Sequence, residues 1–338
     1  MKLVKQLRYL LLILMLSLFS TVACAQTTII KFSFVSGKDT PKGKAAMRFK
    51  SLVEESSNHR IQVDIYANSL LYKESDELEA LQLGAVQMLA PSLARLAMFG
   101  IKDFEVFDLP FVFNDEAAVT RVTQGPVGRS ILRKLEAKGM VGLAYWDNGF
   151  KIMSANKPLK MPSDFAGERI RIHSSNVLDS EMEALGAIPQ ILETDEVTRA
   201  LRANVVDGIE SSPADFYANK WYQNQSDVTL SLHGYLGYAV IVNKRFWDGL
   251  PSDLRRLIDN AMQQATAYGN DLAAQRNETA MAWMKTSKKL NVHTLTTKER
   301  RAWQHALEPV KKDLGERIGT AVVTATVREA EGHWLGGR

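Results

Sequence analysis

"IIKFSFVSGKDTPKGKAAMRFKSLVEESSNHRIQVDIYA" (residues 29–67) reads as strand, helix, strand. The first strand, "IIKFSFVSG", closes on Gly37. In "TPKGKAAMRFKSLVEESS", Ala46, Phe49, Leu52 and Val53 fall near one face at helical spacing. "RIQVDIYA" (60–67) alternates Ile61, Val63 and Ile65, the pattern of a half-buried strand. A helix, "SDELEALQLG" (75–84), follows. It opens on Ser75 with acidic residues in its first turn and stops at a glycine. "AVQMLAPS" (85–92) is a short apolar run and reads as a buried strand. This β-α-β-α-β rhythm implies an open sheet covered by helices.

The rhythm restarts further on. "MVGLAYWDN" (140–148) is a strand, and "KIMSANKPLKMPSDFAGERIRI" holds two more around a "KPLKMPSDF" turn. "VLDSEMEALGA" (177–187) is a helix, and "TDEVTRALRANVVDGIE" a helix and a short strand. "GYLGYAVIVNKRFWDGLP" (234–251) contains the apolar strand "YAVIV". A helix from about Pro251 to Lys288 is far longer than the usual 11–12 residues or so, long enough to brace two lobes. Gly269 is expected to kink it. Thr296 and Glu299 match a capping box for a last large helix. At 338 residues, with two such rhythms, the chain is expected to form two α/β lobes.

The first 25 residues stand apart. Lys2, Lys5 and Arg8 precede "YLLLILMLSLF", an apolar run short for a membrane span, and Ala23-Cys24-Ala25 fits a small-x-small cleavage site. The expectation is an exported protein that starts at Gln26. Lipid attachment at Cys24 is the alternative. Losing the leader takes the formal charge from +4 to +1, too little for phosphate neutralisation, so nucleic acid is not an expected partner. It also removes the single cysteine, leaving neither a disulfide framework nor a thiol nucleophile.

The chain carries no G-x-G-x-x-G, G-x-S-x-G or H-x-x-x-H. In "GKDTPKGKA", Ala45 stands where a phosphate loop needs Ser or Thr. No cofactor, metal or catalytic group is therefore expected, and a binding protein is favoured over a secreted hydrolase. In "GERIRIHSS" (167–175), Arg169 and Arg171 alternate with Ile170 and Ile172, a strand with a cationic face. Such a face is either a solvated edge or a site for an anion.

Eight blocks carry a resemblance. They are "PKGKAAMRFKSLVEE", "SLLYKESDELEALQLGAVQMLAPS", "FEVFDLPFVF", "WDNGFKIMSANKPLK", "DFAGERIRI", "ALGAIPQ", "VVDGIES" and "HGYLGYAVIVNKRFWDGLP". Together, from about 29 to 310, they resemble the periplasmic solute-binding proteins of TRAP transporters, most closely the DctP-like, C4-dicarboxylate branch. "VVTATVREAEGHWLGGR" lies outside the resemblance. It implies a two-lobed (type II-like) periplasmic binding protein fold with mixed sheets flanked by helices and a long helix spanning both lobes. The lobes are discontinuous: 26–148 plus about 236–275, and 149–235 plus about 276–338. It also implies a monomeric, periplasmic organic-acid receptor that hands its ligand to the TRAP permease membrane subunits. A receptor signalling to a sensor kinase is the alternative reading.

The resemblance assigns residues too. Arg171 matches the arginine that pairs with the ligand carboxylate in the family, a role suited to a planar two-donor fork. The other reading is an arginine paired with a protein carboxylate. Lys151 stands at a second cationic position, Ser211 replaces an asparagine, and Thr194 replaces an aromatic. The last two changes point either to a ligand bulkier or more hydroxylated than succinate or malate, or to a pocket that binds weakly. Lys73 and Ser92 lie at strand-to-helix exits in the other lobe. Ser174, just past the arginine strand, and Tyr235 complete the candidate ligand-binding set.

Overall fold

The structure is a computed structural model that describes residues 27–332. The leader and Cys24 lie outside the described residues. Two sheets organise the chain. The first runs in the order β2-β1-β3-β10-β4 and is built from β1 (Thr28–Ser33), β2 (Ile61–Tyr66), β3 (Met88–Leu89), β4 (Met140–Phe150) and β10 (Tyr235–Asn243). β1 pairs in parallel with β2 and β3, whereas β10 is antiparallel to β3 and β4. The second runs β11-β9-β5-β8-β6-β7, from β5 (Ile152–Ala155), β6 (Arg169–Ile172), β7 (Ile188–Ile191), β8 (Gly208–Ser211), β9 (Asp227–Leu230) and β11 (Asn291–Thr294). β6 is parallel to both β7 and β8. The fold is thus a two-lobed mixed α/β arrangement.

Helix starts follow local chemistry. Pro41–Ser56 begins at Thr40, whose side chain accepts from the Gly43 amide, with Pro41 in the first turn. Its apolar face buries Ala45, Ala46, Phe49 and Val53 under the first sheet. There Phe32 touches Phe34, Phe49 and Trp146 with ring centroids 5.7–6.0 Å apart. Each such burial stabilises by about 1.5–3 kcal/mol. The expected capping box at Thr296 and Glu299 is present in full and starts the helix Thr297–Ile318. The tail beyond the resemblance forms a further helix, Thr320–Ala330. Arg121, in the helix Glu116–Gln124, donates to the Ala330 carbonyl at its end.

The chain passes between the lobes at Lys151, at residues 231–234 and along the brace helix Ser252–Thr286. Lys151 N–H donates to the Gly234 carbonyl, and Leu232 N–H donates to the Lys151 carbonyl, so the first two crossings are stitched together. The brace helix runs through Gly269 without interruption, from Ser252 to Thr286. A Cβ at Gly269 would stand 2.6 Å from the Ala45 Cβ, so the glycine permits close helix packing there.

Candidate functional site

A cavity of about 210 Å3 lies between the lobes. It is smaller than the roughly 300–1,000 Å3 usual for drug-sized ligands, and it suits a small solute. The first lobe lines it with the loop after β1 (Val35 to Thr40), Lys42, Asn68, Glu74, Ser92 and Tyr238. The second lobe contributes His173, Glu193, Thr194, Asp195 and Asp215. The second lobe's groups lie just past the carboxyl ends of β6, β7 and β8, where open α/β sheets form their crevices.

Arg171, on β6, is 1% exposed. Its Nε and Nη2 donate to the Leu192 carbonyl at 3.0 and 2.8 Å, which fixes the plane of the guanidinium. Thr194 Oγ1 is 3.5 Å from Nη2. Among the described residues no carboxylate lies within 4.0 Å of Arg171. Burial pulls its pKa down, and the more distant Glu210, Glu74, Asp215 and Glu193 oppose that pull. His173 stands against the guanidinium, with its Nε2 3.3 Å from Nη1 and its Nδ1 3.4 Å from Nη2. Burial and the charges of Arg171, Lys151 and Lys42 push this imidazole well below its ordinary pKa, so it is neutral.

Arg169, two residues back on β6, is already used. Its Nε and Nη2 donate to Asp207 at 2.9 and 2.6 Å. Lys151 is fully buried and donates to Asp108 at 2.8 Å, with Glu210 at 3.9 Å. Asp108 also accepts from Ser175. Burial acts to lower the Lys151 pKa, but Asp108, Glu210 and Glu181 outweigh it and the net shift is upward. Glu181 and Glu210 are buried, with carboxyl oxygens lacking hydrogen-bond partners among the described residues, and burial raises the pKa of both, that of Glu181 well above its ordinary value. Ser211, at the end of β8, is buried with its hydroxyl also unpartnered.

The remaining sequence candidates scatter. Thr194 and Ser92 line the cavity. Ser92 caps the helix Leu93–Met98 and donates to Glu74 at 3.2 Å. Lys73 is exposed and does not line the cavity. Ser174 sits half-buried in the turn after β6, also off the cavity wall. Tyr235 faces a different, smaller crevice at the hinge, where its hydroxyl donates to Asp147.

Sequence reasoning missed Lys42, His173, Glu74, Glu193, Asp215 and Tyr238. Lys42 carried a readable signal. Extending the apolar stripe of Val53, Phe49 and Ala46 one turn back lands on it, so a lysine interrupts a buried face. A second missed feature is the hinge. Between Leu236 and Gly237 the β4–β10 register slips, leaving Asn148 as a bulge. Its Nδ2 donates to Asp215 and to the Tyr238 hydroxyl at 2.8 and 2.6 Å, and its Oδ1 accepts from Ser212 at 2.8 Å. Asn277 of the brace helix donates to the Asn148 carbonyl. One bulged residue therefore joins both cavity walls to the brace.

The family model for bacterial extracellular solute-binding proteins, family 7, matches residues 32–317. The C4-dicarboxylate-binding periplasmic protein DctP of Rhodobacter capsulatus is 53% identical over 306 residues, 90% of this chain and 92% of that protein. A TRAP periplasmic solute-binding protein of Shewanella oneidensis, solved with bound succinate, superposes with a TM-score of 0.86 at 39% identity, over 90% of this chain and 99% of the other. One from Pseudomonas aeruginosa, solved with bound L-malate, gives 0.81 at 36% identity, over 85% and 99%.

Proposed function

Because the chain belongs to family 7 of the bacterial extracellular solute-binding proteins, we propose that it is an exported receptor for a small dicarboxylic acid, which it delivers to the membrane subunits of a TRAP-type permease. The observation that carries this reading is Arg171. A buried guanidinium with no carboxylate within 4.0 Å among the described residues, held in plane by the Leu192 carbonyl and set directly behind His173 of the inter-lobe cavity wall, is prepared for an anion from outside. The likeness to a C4-dicarboxylate-binding protein and to structures that hold succinate and L-malate supports a four-carbon acid. The leader's charge and cleavage pattern supports export. Binding between lobes that are joined by crossing strands and one long helix implies closure about that hinge.

A thermal-shift screen of the mature protein against organic acids tests the reading. Ligand at about 100 times its dissociation constant stabilises the folded state by about 2.7 kcal/mol. Succinate or malate should raise the melting temperature, and a flat response to every dicarboxylate would overturn the proposal.

A further inference from the structure

Two buried cations reach the cavity region from opposite lobes, and only one of them has been given a role. Lys42, in the first turn of the helix Pro41–Ser56, is 4% exposed yet lines the cavity. Its ammonium donates to the Ala90 carbonyl at 3.2 Å and stands 3.6 Å over the centre of the Tyr238 ring. Both are neutral partners. Among the described residues no carboxylate lies within 4.0 Å of it, the same condition that marks Arg171. Its direct contacts are a carbonyl and a ring, and a buried ammonium is costly to hold without an anion in contact.

The acids around the cavity do not fill that place. Glu74 accepts from Ser92, Asp215 accepts from Asn148, and Asp195 is exposed. Burial first, and the nearby Glu74 second, push the Glu193 carboxyl up, so it offers the lysine little negative charge. Glu77 is buried near Lys42, but both its oxygens lack partners among the described residues. Burial pushes its carboxyl up, and the Lys42 charge opposes that rise from beyond contact distance. Burial pulls Lys42 down, and Glu77, Glu74 and Asp215 oppose that pull, none of them within 4.0 Å. His173 and Lys42 both line the cavity, one from each lobe, and Arg171 lies directly against His173 at 3.3 and 3.4 Å.

We propose that Lys42 is the second carboxylate anchor: a four-carbon diacid spans the cleft with one carboxylate on Arg171 and the other on Lys42, one from each lobe. Charge at the far end of the ligand, rather than its length, then selects diacids over monoacids. Because each anchor belongs to a different lobe, the diacid also ties the closed state together. A monoacid satisfies only one wall. This inference rests on the receptor reading above and adds the group that would make it specific.

Calorimetry with succinate and its monoamide, succinamate, tests it, since the pair differs in one charge and hardly in shape. Wild type should prefer succinate by at least about 30-fold, the low end of what an unmatched buried charge costs. Lys42→Met should bring that ratio to near unity, chiefly by losing affinity for succinate, with circular dichroism and the melting temperature as its folding control. Lys42→Arg should keep the preference. If wild type binds both ligands equally, or if folded Lys42→Met retains the wild-type ratio, the Lys42 assignment is wrong while the receptor reading stands. If Lys42→Met does not fold, the wild-type ratio and Lys42→Arg decide: equal affinities, or a preference lost in the arginine variant, overturn it. Wild type that binds neither ligand, nor L-malate or any other dicarboxylate, overturns the receptor reading itself.

Discussion

The two ring nitrogens of His173 lie 3.3 and 3.4 Å from the two terminal nitrogens of Arg171, spaced much as a carboxylate's oxygens would be. The imidazole is on the cavity wall and the guanidinium behind it, so a ligand carboxylate reaches Arg171 by moving that ring. This geometry needs a neutral imidazole, and burial with three nearby cations keeps it neutral. In NMR titrations of the ligand-free protein, the His173 ring should show no step between about pH 5.5 and 7.5, although an unperturbed histidine titrates near 6.5. A midpoint near 6.5 would contradict the placement.

Glu74 and Glu193 line the cavity from opposite lobes. Burial first, and the Glu74 carboxylate second, raise Glu193 to about 7. A carboxyl raised on folding contributes its stability fully below its unfolded pKa of about 4.5, and loses it as pH climbs through the folded value. The ligand-free closed form should therefore loosen as pH rises from about 6 to about 8. Small-angle scattering should report a larger radius of gyration at the upper pH, and Glu193→Gln should abolish the change. A wild-type radius that is constant over that range rules this out.

Lys151 is committed to Asp108 inside the protein. Lys151→Met leaves Asp108 buried without its cation, and chemical denaturation should show a loss of about 3–5 kcal/mol. A loss below about 1 kcal/mol, the range of a surface pair, would mean that the amine is free for ligand.

Asn148 satisfies groups on both walls and on the brace. Asn148→Ala orphans several of them, at about 1–3 kcal/mol for each one left unsatisfied. The variant should unfold at clearly lower denaturant and also bind succinate more weakly, because Asp215 and Tyr238 lose their shared tether. Unchanged affinity would confine the residue to a purely structural role.

Much of this architecture was legible because periodicity reports burial. The alternation in "RIQVDIYA" became β2, the helical stripe after Thr40 became the first long helix, and Thr296 with Glu299 became a working capping box. Gly269 packs closely on Ala45, and a glycine needed for such contact looks the same in sequence as one that bends a helix. The site was less legible. Arg171 stood out as a cation on a strand of isoleucines, but nothing local distinguished it from Arg169, whose partner Asp207 is 38 residues away. Lys151 looked like a ligand group because the Asp108 that occupies it lies 43 residues upstream. The hinge bulge at Asn148 is a property of how β4 meets β10, and no single strand encodes it.

The most direct test of the receptor account is calorimetry of succinate binding to wild type and to Arg171→Ala. The account predicts saturable one-to-one binding by wild type and a loss of about 2–5 kcal/mol in the variant, enough to take a micromolar interaction to the edge of detection. A folded Arg171→Ala protein that binds succinate as tightly as wild type would contradict it.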